Sequence, residues 1–520
     1  MSLSRRDLIH LVGKAGGIAA AYRTMAALGL LSIPAAYAGP PELPPGKRQR
    51  IVIIGAGIAG MVLAYELRKA GYVPQILEAR ARPGGRNWSL RGGDAIEETF
   101  STQHVRWDRA PHLYFNPGPA RLPYHHRGIL SYCRELDVPL EVMSNDNRGA
   151  LLQSDAAFDG KPQRNRQVVD DIRGYVAELA AKAIDQNALT QAVTTDDKER
   201  MRDLLRGFGA LDKDMNYKGS GRAGFSDPPG GGTHSGVRTQ PLDLHAILDA
   251  GFWQFNTNFG ESWDQAATMM QPIGGMGRMG EAFGRALHGV IQYGAEVRAL
   301  HRTTGGTRIV WRDTKTQREH AIEAPLVVVT TPLPVLRTIQ ADFAPELRAA
   351  IEAVDYVSAV KVAFQAERRF WELDETIYGG ISWTSRDITQ VWYPSGGIHQ
   401  RKGILVGAYI WSDDIGNRFS AMPPAARVTA ALDDGERLHA NYRRHLTNGV
   451  TVAWKNIPFS GGAWSEWSRS VRSQHYATLL KGDGPFLFAG EHVSYINGWQ
   501  EGAVRSAHYT LAAIAARMTG

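Results

Sequence analysis

An α/β fold built from two sheets with a helical insertion is predicted by three stretches of this chain. Residues 50–86 run strand, glycine turn, helix and strand, the unit from which parallel sheets are assembled. Residues 350–420 alternate short apolar runs with turns, which predicts a mostly antiparallel second sheet. Residues 165–210 are charged and carry VVDDIRGYVAELAAKAIDQ, an amphipathic helical pattern. With 520 residues, the chain is long enough for two or three domains, each with its own core.

The chain opens on an expected targeting segment, residues 1–38. Ser4-Arg5-Arg6-Asp7-Leu8-Ile9 resembles a twin-arginine export signal, and a mildly apolar stretch, Ala15–Ala36, follows it. Ala36-Tyr37-Ala38 offers a small-x-small cleavage site, while Arg23 interrupts the apolar run and argues against a membrane span. Pro40 to Pro45 then make an extended linker.

Ile51 to Ile54 form a β-branched run, the pattern of a strand buried on both faces. Gly55-Ala56-Gly57-Ile58-Ala59-Gly60 follows at once, and a helix is predicted beyond it. Met61, Leu63, Ala64 and Leu67 should face inward, with Glu66, Arg68 and Lys69 near its exposed end. Val73 to Leu77 read as a second strand ending on Glu78. This is a dinucleotide-binding fingerprint with a reason for each residue. Gly55 permits the tight turn, Gly57 lets a pyrophosphate approach the backbone, and Gly60 lets helix and strand pack closely. The helix N-terminus offers free N–H groups and partial positive charge to phosphates. Glu78 stands where a carboxylate accepts ribose hydroxyls. The stretch by itself leaves NAD and FAD open.

Residues 87–128 are rich in aromatics, histidine and proline and show little period. Ile129 to Leu136 read as helical, with Cys133 on the inner face as a small core residue. Gly219–Gly236 is rich in Gly, Ser and Pro and predicts a long loop, either a connector or a lid. Gly274-Gly275-Met276 opens a helix toward Leu287. Ala295–Leu300, Arg308–Trp311 and Leu326–Thr330 are predicted to return to the first sheet. Pro485–Ala489 reads as another buried strand, and a closing helix spans about Trp499 to Met518.

Composition narrows the function classes. Apolar residues make up 43% and charged residues 21%, which argues against disorder. The net charge is +7, and three of those charges come from residues 1–38, where Arg5, Arg6, Lys14 and Arg23 face one acid, Asp7. The other arginines are dispersed among acids, so there is no nucleic-acid footprint. Cys133 is the one cysteine, which excludes an intramolecular disulfide. The chain has no H-E-x-x-H, no cysteine pairs for zinc, no G-x-S-x-G and no phosphate-binding G-x-x-x-x-G-K-[ST], so no metal is expected.

Two signatures carry a family resemblance. Glu78-Ala79-Arg80, followed by Arg82-Pro83-Gly84-Gly85-Arg86, resembles the start of the amine-oxidase branch of flavoproteins. The tail FLFAGEHVSYINGWQEGAVRSAH resembles that branch's closing flavin motif. Together they are similar to the monoamine oxidase superfamily, and most to its L-amino acid oxidases, over most of residues 48–518. Residues 140–270 match least well. The resemblance implies a Rossmann-type FAD-binding domain of the glutathione-reductase-like kind, a mixed or antiparallel-sheet substrate domain and a helical subdomain. The FAD-binding domain would take residues 48–105, 270–330 and 470–520. The substrate domain would take 106–128, 240–269 and 331–469, and the helical subdomain 129–239. Export in the folded state, to the periplasm or beyond, suits a protein that loads FAD first. A homodimer or higher homo-oligomer is expected.

The same resemblance implies roles for particular residues. Cofactor contacts fall to Gly55, Gly57, Ala59, Gly60, Glu78, Ala79, Arg80, Arg86, Gly118, Pro119, Ala120, Arg121, Val297, Gly490, Glu491, Gly498 and Trp499. Glu491 would hold the ribityl chain, and the helix after it would point its N-terminus at the flavin. Arg121, in a G-x-x-R-[IL]-P element, would clamp a substrate carboxylate, for which a guanidinium fork is well shaped. Tyr393 would be the second donor, with its register against Trp392 left open, and Gly498 and Trp499 would also touch substrate. Lys361 is a charge inside an apolar strand, so it should have a partner. In the family it holds a water against flavin N5 and assists reoxidation. Trp464 and Trp499 would form an aromatic cage. Covalent members carry a flavin-linking cysteine where this chain has Ala463, so FAD is expected to be held non-covalently.

The activity this implies is oxidative deamination of an L-amino acid to 2-oxo acid and ammonia. Oxygen would then reoxidise the flavin, releasing hydrogen peroxide. Alternatives are a simple amine or polyamine oxidase, a decarboxylating amino acid monooxygenase, or a flavin-binding partner protein without turnover. Side-chain preference stays open, with Trp253 and Phe225 among the residues available to line the pocket.

Overall fold

Five short strands from separate stretches of the chain form one parallel sheet. Their order is Ile291–Tyr293, Val73–Glu78, Arg50–Ile54, Val327–Val329 and Phe486–Phe488. The computed structural model describes residues 37, 39–186, 194–254 and 256–519. Apart from Tyr37 of its cleavage motif, the predicted export signal lies outside them. From Glu42 on, the chain forms one compact unit.

Burial on both faces explains why these strands are continuous apolar runs. Ile51 and Ile53 point to one face, where they meet the helix Ile58–Lys69 and the closing helix Gln500–Thr519 through Met61, Leu67, Leu511 and Ile514. Val52, Ile54, Val327, Val329, Phe486 and Phe488 point to the other face. A four-stranded sheet covers that face, with Ala295–Thr303, Gly306–Asp313 and Glu319–Ala324 in antiparallel hairpin sequence and Gln340–Ala341 parallel to the first of them. Here the structure corrects the sequence reading. Of the strands predicted to return to the first sheet, Val327–Val329 does so, while Ala295–Thr303 and Gly306–Asp313 form this separate cover. Glu66 is a second correction, because it is buried and accepts a hydrogen bond from the Tyr132 hydroxyl at 3.0 Å.

The second sheet has seven strands, ordered Leu446–Ala453, Val360–Ala366, Gly403–Ile410, Gln390–Tyr393, Gly380–Thr384, Leu151–Gln153 and Gln163–Arg164. Its pairs are antiparallel except where Gly380–Thr384 meets Leu151–Gln153. One face packs against the helix Pro424–Gly435 through Val362, Phe364, Leu405 and Ala431. The other face looks toward the segment between the first sheet and the helical insertion. The helices Arg127–Glu135, Asn165–Asp185, Thr195–Gly209 and Leu244–Ala250 follow in sequence, the middle two within the predicted helical insertion, 129–239. Thr194 and Asp197 form a capping box that fixes the start of the third. Cys133 is buried, as expected.

The glycine-rich stretch 219–236 is less irregular than its composition predicts. Phe225–Asp227 pairs antiparallel with Val237–Arg238 as an exposed ribbon. Among the described residues, no helix is long and apolar enough to cross a membrane. No group of histidine, cysteine and acidic side chains gathers there to hold a metal ion.

Candidate active site

The glycine turn after the first strand opens onto a cavity of about 420 Å³. Gly55 takes φ +104°, which only glycine adopts freely. A Cβ on Gly60 would stand 2.1 Å from the Gly55 carbonyl oxygen, so that glycine serves close packing. A Cβ on Gly57 would meet nothing within 4 Å, because Gly57 borders the cavity itself. The helix starting there has no side-chain cap and no acid in its first turn, which leaves its N–H groups and positive end for an anion. Glu78 accepts from the backbone N–H of Ala56 at 2.7 Å and of Arg80 at 2.8 Å. Arg80 in turn donates to Pro458 O and Ser460 Oγ.

At the far end of the cavity, Glu491 is gripped from several sides. Arg86 donates to it at 2.9 Å, Ser465 Oγ at 2.9 Å and the Gly498 N–H at 3.1 Å. Burial works against the Glu491 carboxylate, yet Arg86, His492 and these donors outweigh it and hold its pKa below the usual range. Ala79, Pro119, Val297, Ala463, Trp464, Gly490 and Trp499 complete the wall together with Ala59. Four expected cofactor residues lie off it. Gly60 packs helix on turn, the Gly118 carbonyl accepts from Lys361, Ala120 lines a second cavity, and Arg121 sits beyond the wall.

Arg121 and Lys361, expected at the substrate and at the flavin, are both buried beside Trp392. Arg121 is 7% exposed, and its Nη1 has no hydrogen-bond partner. Three rings surround the guanidinium, Trp392 at 4.8 Å, Phe259 at 5.4 Å and Trp499 at 5.6 Å. Burial lowers its pKa to about 10, although Tyr409 and Asp264 pull the other way. Lys361 is 2% exposed and donates to the carbonyls of Asn116 at 3.0 Å and Gly118 at 2.6 Å. Those are the partners its burial required. Burial, and then the nearby Arg121, push the Lys361 pKa well down. Lys361 and Trp392 also line a second cavity of about 280 Å³, which runs past Tyr114, Glu141 and Gln271.

Tyr393 is a correction. Its hydroxyl bonds Ser382 Oγ at 2.7 Å and His439 Nε2 at 2.6 Å, within the core against the helix Pro424–Gly435. Neighbours in a strand point to opposite faces, so Trp392 meets Arg121 instead. The ring that sequence reasoning missed is Tyr409. It lies directly opposite Lys361 in the sheet, its ring is 4.3 Å from the Lys361 ammonium, and its hydroxyl acts electrostatically on Arg121. His126 was missed as well. It is buried edge-on to Trp499 at 4.9 Å, and burial pushes its pKa down to about 3.

The family model described as flavin containing amine oxidoreductase matches residues 58–514. The chain belongs to the flavin containing amine oxidoreductase family. FAD is therefore its cofactor, and the chain is an oxidoreductase; the free helix N-terminus, the open Gly57 and the two anchored carboxylates fit that group. Relatives of this flavin amine oxidoreductase include an L-amino-acid oxidase of Siganus canaliculatus, 26% identical over 88% of this chain and 83% of the relative. The flavin-dependent L-tryptophan oxidase RebO of Lentzea aerocolonigenes is 27% identical over 90% of this chain and 98% of its own. Among solved structures, putrescine oxidase bound to putrescine superposes with TM-score 0.61 at 18% identity, covering 90% of this chain and 99% of that one. Cyclohexylamine oxidase from Brevibacterium oxydans gives TM-score 0.58 at 16% identity, covering 92% of this chain and all of its own. These structures share the fold.

Proposed function

We propose that this chain is an FAD-dependent L-amino acid oxidase, releasing 2-oxo acid, ammonia and hydrogen peroxide. The observation that carries the reading is Arg121, a buried guanidinium whose Nη1 is left unbonded, behind Trp499 of the flavin cavity's wall. A buried, unpaired cation is costly, and a substrate carboxylate would relieve it with two parallel N–H···O bonds. A simple amine brings no such anion. The relatives named as amino acid oxidases support the same choice.

FAD, when bound, supplies the acceptor for the two electrons of the substrate Cα–H bond. The chain's own residues orient the substrate. Arg121 fixes the carboxylate, with the Tyr409 hydroxyl beside it, and the faces of Trp499 and Trp464 bound the space in which the amine nitrogen lies. Such orientation is worth several kcal/mol of barrier, up to ~7–11 in favourable cases. Lys361, held by two carbonyls against Tyr409, keeps a proton donor in an otherwise dry pocket. A panel of the L-amino acids and of simple mono- and diamines, read by peroxide and by 2-oxo acid, tests the assignment. Peroxide with matching 2-oxo acid from amino acids is expected. Peroxide from amines alone, or an amide product, would overturn it.

A further inference from the structure

The second cavity, about 280 Å³, shares no lining residue with the flavin cavity among the described residues. Phe115, Met143, Ile404 and Val406 give it an apolar wall. Two polar groups on its lining lack a charged partner. Glu141 accepts from Gln271 Nε2 at 2.7 Å and forms no ion pair among the described residues. The Nε2 of His112 is buried without a hydrogen-bond partner there. A Cβ on Gly396 would stand 2.7 Å from Glu141 Oε1, and one on Gly397 would stand 3.4 Å from His112 Cδ2. Carboxylate and imidazole therefore flank the same two residues of backbone. The arginines around them are already engaged. Arg278 pairs with Glu281, Arg369 with Glu372, and Arg91 donates to the carbonyls of Pro111 and Gly274. Burial presses Lys361, which also lines the cavity, toward its neutral form.

We propose that this cavity binds a small organic ammonium ion, its head on Glu141 and His112 and its hydrocarbon body against Met143 and Val406. An ammonium group brings three N–H donors and no acceptor. The carboxylate of Glu141, the free Nε2 of His112 and the Tyr114 hydroxyl oxygen are acceptors on the cavity's lining. A carboxylate ligand would meet Glu141 as a like charge. A neutral apolar ligand would dry that carboxylate without pairing it, which is costly. A bare inorganic cation would find one carboxylate and nothing to fill the apolar wall. The volume falls just short of the ~300–1,000 Å³ of sites for drug-sized ligands, so the amine is a small one. None of this depends on what Arg121 binds, because the two cavities are lined separately.

The test is calorimetric titration of the flavin-loaded full chain with cumylamine. The carbon bearing its nitrogen has no hydrogen, so the probe cannot be oxidised there. Cumylamine should bind at one site, and cumyl alcohol, the same body with a hydroxyl for the amine, about ten-fold more weakly or worse. Glu141→Gln keeps an oxygen for Gln271 and removes the charge. It should weaken cumylamine about ten- to hundred-fold and leave the flavin absorbance as in the parent. Gly396→Ala is a second variant, since its new methyl group crowds the Glu141 carboxylate, and it should weaken cumylamine too. Arg121→Ala should bind the probe as the parent does. The proposal is overturned by a parent that does not bind cumylamine, by equal binding of the alcohol, or by undiminished binding in either cavity variant. Binding that shifts the flavin spectrum and is lost in Arg121→Ala would also overturn it, by placing the probe at the flavin.

Discussion

The cofactor end and the substrate end of the site treat buried charge in opposite ways. At the cofactor end, Glu491 is paired with Arg86, and Glu78 is bonded to two backbone N–H groups. The protein has neutralised its own groups and presents the FAD phosphates with backbone dipoles. At the other end, two basic groups, Arg121 and Lys361, stand together, and among the described residues no carboxylate is bonded to either. Only carbonyls, ring faces and the distant Asp264 temper them. What a site leaves unpaired indicates the charge of what enters it. One end holds the flavin, and on the proposed function the other receives the substrate carboxylate.

The contrast breaks most visibly at Arg121. Arg121→Ala should lower kcat/KM for amino acids by about 10²–10³, roughly 3–4 kcal/mol, while the flavin spectrum is retained. Near-parent steady-state constants would place the carboxylate elsewhere. Lys361→Met keeps the stem's volume and removes the charge. Flavin reoxidation by oxygen should slow by about 10², whereas anaerobic bleaching by substrate slows only a few-fold; stopped-flow spectra of the two half-reactions decide between this and a purely structural lysine.

At the other end, Gly57→Ala should fold normally, since nothing lies within 4 Å of the new methyl group, yet its affinity for FAD should fall about ten- to hundred-fold, ~1–3 kcal/mol of overpacking. Titration of the stripped chain with FAD reads this. Released flavin should be intact, because Ala463 offers no covalent link. The smallest effect separates two tyrosines. Tyr409→Phe should raise KM for amino acids, and Tyr393→Phe should leave KM alone but cost ~1 kcal/mol of stability by breaking its bonds to Ser382 and His439. Thermal melts beside steady-state kinetics would show a swap of these outcomes.

The cofactor end was legible because its signal is local. Strand, turn, helix and acid follow within thirty residues, and each glycine answers a constraint written in the backbone. The Glu491 tail was legible for the same reason. The substrate end is assembled from cross-strand neighbours far apart in sequence, and a one-residue slip inverts a strand's faces. Trp392 and Tyr393 are therefore a coin toss without the sheet around them. Tyr409 becomes visible only once Lys361 is known to lie opposite it. Likewise, Ala295–Thr303 is recognisable as a strand, but periodicity cannot tell which sheet it joins. Glu66 looked exposed because its partner, Tyr132, lies on another helix.

The cavity's walls run in sequence from Ile54 to Ala503, and the sheet beneath them gains its last strand at Phe486–Phe488. A ribosome emits the fingerprint helix early, but the strand and helix that complete its binding site come some 430 residues later. While those residues are synthesised, the nascent chain thus exposes a half-built sheet with apolar edges and faces. Loading the flavin must follow synthesis of Phe486–Phe488 and of the helix Gln500–Thr519. The bound cofactor then links segments some 430 residues apart in sequence, so truncation before the helix Gln500–Thr519 should cost the colour of the protein as well as its fold.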